Sequence, residues 1–390
     1  MSDLQPVYPP GTLVRAQTFG WDEALFGDIT EKDWARASGP RFVEGELSAR
    51  WVSSWKYWQF TVGGEFVDER TIVPLGGSGA LGWDSAELLW PKDTSWVRDR
   101  RRLQSWYRKE ILCCPPGYDR ARERFLGSLL PEPQGEQGYN FLYRDIAEYA
   151  MERARTVINE GGTLELDRLK RNMLSSMPMC FNILGHLRSG PSTAAEVLGK
   201  ILGIPMTTIE RMEVERAPRT KKAGGAGALL GDRTAFDAYI EYRAGDRRGF
   251  LGIETKFTDS FSPKVYGDNP SMAPQYVKYT SESYGWKPDA YDRVKASKTN
   301  QVWRNAMLGL ALRETGDEHG GFDEGYVVVL ACADDPGATK AVDAVNNQRT
   351  DDFLRRLTLE GLIEEAKEFQ TLENWALEFE RRYLDLTPVQ

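Results

Sequence analysis

Asp237, Glu254 and Lys256 are the residues whose types and spacing could do chemistry. They stand in GDRTAFDAYIEY (Gly231–Tyr242) and GFLGIETKFTD (Gly249–Asp259). Both segments alternate as half-buried strands do. Residues two apart on a strand project to one face, so Glu254 and Lys256 stand side by side. A hairpin turn at Gly245-Asp246-Arg247-Arg248 would bring Asp237 to the same end of the sheet. Two carboxylates beside one ammonium are an expensive arrangement unless a cation binds there. Carboxylate oxygens suit Mg²⁺, with Mn²⁺ as the alternative ion. The ammonium of Lys256 could then orient or help deprotonate an attacking water and offset charge developing on a phosphate.

Positioning such a set requires a folded α/β core, and the chain supplies one. Ser192–Leu202 has a helical composition, and Thr208–Arg216 alternates as a strand. The hairpin strands follow, then a long helix expected over Asp289–Glu314. Gly325–Ala333 (GYVVVLACA) has the length and β-branching of a fully buried strand. Helices are expected to finish the chain over Thr350–Tyr383. The order is α-β-β-β-α-β with flanking helices. Upstream, Arg50–Val67 reads as two strands around Gly63-Gly64, within a small β-rich N-terminal region. Thr94–Ile111 reads as a charged helix capped by Thr94. Leu130–Gly138 (LPEPQGEQG) is the best linker. It divides an N-terminal region, 1–130, expected to contact DNA or a partner, from a catalytic domain, 139–390.

Composition removes several chemistries. Two histidines, His186 and His319, and four cysteines without a CxxC leave almost nothing for a zinc module or an HNH-type site. The Gly-rich stretches Gly76–Gly79 and Gly224–Gly231 carry no G-K-S/T, so neither is a P-loop. His186, Cys180 and Cys332 sit in apolar surroundings and read as packed residues. A net charge of −8 argues against a uniformly basic coat but permits a local basic groove. No apolar run approaches membrane-spanning length, and the N-terminus MSDLQPVYPPG lacks the features of a signal peptide. A cytoplasmic protein, not associated with a membrane, is expected.

With these motifs in place, the sequence resembles the PD-(D/E)XK, or restriction-endonuclease-like, nuclease superfamily. The aspartate motif is Gly231–Tyr242, the second half Gly249–Asp259, and the final core strand GYVVVLAC. Gln301-Val302-Trp303-Arg304-Asn305 is similar to the glutamine motif of several branches. The segments Arg101–Leu112 and Ser175–Leu187 resemble more specifically a bacterial group of uncharacterised restriction endonucleases. The resemblance implies Mg²⁺-dependent phosphodiester hydrolysis, with Asp237 and Glu254 holding metal, Lys256 assisting the nucleophile and Gln301 as an auxiliary site residue. Phe236 stands where the superfamily often has proline.

Other residues could join the site. Glu213 and Glu215 share a strand face, read first as solvated, with one edging the site as the alternative. Asp232 is read first as a turn residue, and Glu196 as a candidate extra carboxylate on the preceding helix. Arg216, Arg219, Lys221 and Lys222 lie in a basic segment, RAPRTKK, that would contact phosphates or else form a solvated loop. The helix bearing Arg98–Lys109 interleaves basic residues with Trp96, Trp106 and Tyr107, whose rings serve as core anchors before stacking platforms. The expected partner is DNA, with RNA as the alternative substrate, and the expected activity a DNA endonuclease of a restriction or defence type. A homodimer or defence-system partner proteins would fit that role. The competing reading is a catalytically silent nuclease-fold module that binds nucleic acid or assembles a defence or repair complex.

Overall fold

The structure is a computed structural model that describes residues 13–17, 42–52, 57–67, 73–74, 82–160, 162, 164–218, 229–231, 234–261, 273–295, 299–317 and 319–390. The chain divides into two compact units, Met1–Tyr139 and Asn140–Pro388.

In the first unit, β1 (Leu13–Gln17), β2 (Phe42–Val52), β3 (Tyr57–Val62), β4 (Glu65–Phe66) and β5 (Val73–Pro74) form a sheet in the order β4-β3-β2-β1-β5. Gly63 and Gly64, both at positive φ, make the tight turn from β3 to β4. Helix α1 (Ser95–Trp106) is capped by the Thr94 hydroxyl, which accepts from the Val97 amide, and runs into a π-helical turn at Tyr107–Ile111. The basic residues of this helix are largely inward. Arg101 pairs with Asp93 and donates to Ser128, and Arg108 donates to the carbonyls of Gly127 and Cys114. The buried Arg108 guanidinium thus satisfies loop carbonyls beside the hairpin of β6 (Gly117–Asp119) and β7 (Arg124–Leu126). A short helix, α2 (Glu132–Glu136), follows.

The second unit opens with four helices, α3 (Arg144–Asn159), α4 (Leu166–Arg171), α5 (Ser176–Leu187) and α6 (Pro191–Leu202). Gly203 ends α6 in the left-handed conformation that glycine adopts without strain. The sheet comprises β8 (Thr208–Arg216), β9 (Phe236–Ala244), β10 (Arg247–Thr255), β11 (Glu324–Ala331) and β12 (Leu354–Thr358), ordered β12-β11-β10-β9-β8. Strands β8, β9 and β10 pair antiparallel, and β10, β11 and β12 parallel. Helices α7 (Ala273–Tyr279), α8 (Ala290–Val294) and α9 (Asn300–Thr315) lie between β10 and β11, and α10 (Pro336–Asn346) between β11 and β12. Helices α11 (Leu359–Lys367) and α12 (Glu373–Tyr383) follow. The expected α-β-β-β-α-β order is present, within a mixed sheet that has one further strand.

Trp303, Met307 and Leu310 of α9 belong to one buried cluster with Tyr239, Phe250, Val327 and Val329 of the sheet. Gly252 makes room there, since a Cβ at that position would lie 2.4 Å from the Phe236 ring. On α5, Asn182 ties helices together. Its amide donates to the Asn140 carbonyl and the Tyr383 hydroxyl, and its oxygen accepts from the Leu142 amide. His186 stacks on Trp375, the packed role expected for it. No helix among the described residues is long and apolar enough to cross a membrane.

Two expected elements differ. The helix expected over Asp289–Glu314 is broken into α8 and α9, because Thr299 and Asn300 donate to the Val294 and Lys295 carbonyls at the end of α8. The region expected to be wholly helical from Thr350 begins instead with β12, and α10 precedes it. Strand β12 is a sheet edge, where Arg355 and Arg356 reach the carbonyls of Leu202, Cys332 and Ala333.

Candidate active site

The pairing of β9 with β10 sets the site. Ile253 lies opposite Ala238, so the next step along the ladder puts Glu254 beside Asp237. Asp237 is half-buried at the start of β9. Its Oδ2 accepts from the Thr255 amide at 2.8 Å and the Thr255 hydroxyl at 3.0 Å, and Oδ1 has no donor among the described residues. Burial raises the Asp237 carboxyl to about 7, and the negative charge of Glu254 adds to the rise, against the pull of Lys256 and Thr255.

Glu254 is 2% exposed, and both its oxygens are engaged. Oε1 pairs with the Lys256 ammonium at 2.7 Å and accepts from Gln301 Nε2 at 2.6 Å. Oε2 accepts from Asn305 Nδ2 at 2.6 Å. Gln301 and Asn305 lie one turn apart on α9, so one helix face presents both amides to the carboxylate. Lys256 follows the end of β10, where its amide donates to the Leu330 carbonyl. Its ammonium lies 3.4 Å from Gln301 Oε1 and 4.9 Å from the centre of the Phe261 ring. Burial pulls the Lys256 proton affinity down, but Glu254 and Asp237 outweigh it, and the net position is above the ordinary lysine value. Lys256 therefore holds its proton at neutral pH. It can orient a water and stabilise negative charge.

Around this core, Asp259 is held by Arg168 at 2.8 Å and by the Ser176 amide at 2.6 Å. Glu215, at the end of β8, is raised to about 8 by burial and by the charges of Asp237 and Glu254. Carboxylates thus outnumber the cations that face them. The other end of the sheet differs: there Arg248 binds Glu241 at 2.6 Å and Asp317 at 3.3 Å, so the buried acids are neutralised within the protein. Uncompensated negative charge, with Asp237 Oδ1 open, is a donor set suited to a hard divalent cation.

The other sequence-stated candidates fall into place around that set. Gln301 is at the site, as above. Asn305 was not singled out by sequence reasoning, although its i+4 spacing from Gln301 carries the signal. Glu213 is engaged by Arg211 and Arg216, and Arg216 is turned to Glu213 at 3.4 Å. Glu196 is exposed on α6. Arg219, Lys221, Lys222 and Asp232 lie outside the described residues. Cys180 and Cys332 are buried thiols. Among the described residues, the set of three that brings its ligand atoms within 4.8 Å of one another is Cys332, Asp334 and Glu360, at the exit of β11. Asp237, Glu254 and Glu215 do not come within that distance of one another as a set; Thr255 holds the first carboxylate, and Lys256, Gln301 and Asn305 hold the second.

A family model for the PD-(D/E)XK nuclease superfamily matches residues 91–385. The chain belongs to the PD-(D/E)XK nuclease superfamily, a family of phosphodiester-cleaving enzymes that typically use divalent metals. Comparison with curated proteins and with solved structures returns no match.

Proposed function

We propose that the protein is a cytoplasmic, Mg²⁺-dependent DNA endonuclease of a bacterial restriction or defence type, with Mn²⁺ as an alternative ion. The observation that carries this reading is the convergence of Asp237, Glu254 and Lys256 at one end of a buried sheet. Asp237 and Glu254 would hold the cation, which supplies Lewis-acid polarisation of a phosphate oxygen and a nucleophilic water near neutral pH. Lys256 would orient or help deprotonate the attacking water and stabilise charge developing on the phosphate. Gln301 and Asn305 fix the Glu254 carboxylate, so that its geometry is set before substrate arrives. Arg219, Lys221 and Lys222, with Arg216 at their base, would contact backbone phosphates. The N-terminal region, 1–130, would add DNA or partner contacts, and 139–390 the catalytic domain.

The silent-module reading draws on one observation: both Glu254 oxygens are already satisfied by protein donors. Incubation of supercoiled plasmid, linear duplex, single-stranded DNA and RNA with the purified chain, in Mg²⁺ and in EDTA, separates these readings. Mg²⁺-dependent nicking or linearisation of duplex DNA is expected. Cleavage of RNA alone would shift the substrate class, and no cleavage of any polymer would favour the silent module.

A further inference from the structure

We propose that Glu215 is a third carboxylate of the cation site, supplied by the edge strand β8. This rests on the reading of Asp237 and Glu254 as the cation-binding pair. In the β8–β9 ladder, Val214 lies opposite Ala238 and Arg216 opposite Phe236. Glu215 therefore stands directly across from Asp237, as Glu254 does on the other side. Three adjacent strands place one carboxylate each in a single row.

Like charges directly opposite one another in a sheet are destabilising. A solvated edge residue would avoid that by turning away, yet Glu215 is half-buried. Its backbone sits at φ +56°, in the left-handed region uncommon for a side chain of this kind. Helix α3 holds it there. Arg153, itself buried, donates Nε to the Val214 carbonyl at 2.6 Å and Nη2 to the Glu215 carbonyl at 2.9 Å. The Tyr149 hydroxyl accepts from the Val214 amide at 3.1 Å. These contacts close the open edge of β8 at one point and fix the backbone that carries Glu215.

The neighbouring acids all have partners: Glu213 with Arg211 and Arg216, Asp259 with Arg168, Glu254 with Lys256. Among the described residues the Glu215 carboxylate has no ion pair or hydrogen bond of its own, and the charges of Asp237 and Glu254 act on it more strongly than those of Arg168 and Arg153. An unpaired carboxylate fixed beside two others is stabilised by a hard divalent cation, which takes oxygen ligands and neutralises the excess charge.

Mn²⁺ binding, followed by loss of the free-ion paramagnetic resonance signal, tests this without reference to cleavage. The wild-type chain is compared with Glu215→Gln, Glu215→Asp, Glu254→Gln and the adjacent control Glu213→Gln. Glu215→Gln should weaken Mn²⁺ binding about tenfold or more, and Glu213→Gln should leave it unchanged. Glu215→Asp keeps the charge on a shorter arm and should fall between, which decides the matter should the glutamine variant fail to fold. Wild-type affinity in both Glu215 variants, with loss in Glu254→Gln, would overturn the role of Glu215 and leave the Asp237–Glu254 reading standing. Unchanged affinity in Glu254→Gln would overturn that reading and this inference with it.

Discussion

Replacing Asp237 with asparagine should make the metal-free protein more stable, by an amount that grows as pH climbs from about 4 to about 7 and then levels off. The folded carboxyl stands at about 7 against an ordinary 3.8, raised first by burial and then by Glu254. A group raised in this way contributes its full share of stability below the unfolded value and loses it as pH climbs through the folded value. At pH 8 the three-unit difference corresponds to about 4 kcal/mol, which coupling to a neighbouring group and local water reduce to about 2 kcal/mol. Asparagine keeps an oxygen for the Thr255 amide and hydroxyl but carries no charge. For a unit the size of Asn140–Pro388, that gain is about 4–8 °C in melting temperature. Thermal unfolding in EDTA, from pH 4 to pH 8, measures it: near-equality with wild type is expected at pH 4, a partial gain at pH 5 to 6 and the full gain at pH 8. Saturating Mg²⁺ should reverse the order, since only wild type gains the binding increment. Equal destabilisation across that pH range would refute the reasoning, because Asp237 would then be an ionised structural acceptor for Thr255.

Three further outcomes follow from the same geometry. Lys256→Ala should lose most cleavage while keeping DNA binding, and should lower metal-free stability by about 2–4 kcal/mol in denaturant titration, because it breaks a buried pair. Asn305→Ala leaves Glu254 Oε2 buried without its donor and should cost about 1–3 kcal/mol, with a matching fall in cleavage rate, read from melts and single-turnover assays. DNA affinity should fall with salt at a log–log slope of about −0.9 per phosphate contact, and neutralising Arg219, Lys221 and Lys222 together should flatten it. An unchanged slope returns those residues to solvent.

The parts of the site legible in the sequence are those fixed by local rules. Strand alternation put Glu254 beside Lys256, and the Gly245 turn, at φ +64°, folded β9 onto β10. Glu215 reads first as solvated, with the site edge as the alternative, because an alternating acidic edge strand looks the same whether its open side meets water or a helix. Only the long-range contacts of Tyr149 and Arg153 distinguish the two. Strand β12 escaped notice because its two arginines mask a short apolar pattern, and their partners are carbonyls distant in sequence. The buried arginines of α1 looked like a basic surface for the same reason: burial of a charge depends on tertiary acceptors that spacing does not reveal.

The most direct test of the account is single-turnover cleavage of duplex DNA by wild type and Glu254→Gln, at matched DNA occupancy and across a Mg²⁺ titration. The account predicts Mg²⁺-dependent cleavage by wild type. Glu254→Gln should retain DNA binding and show little cleavage at any Mg²⁺ concentration. Wild-type cleavage rates in Glu254→Gln, or cleavage that persists in EDTA, would contradict it.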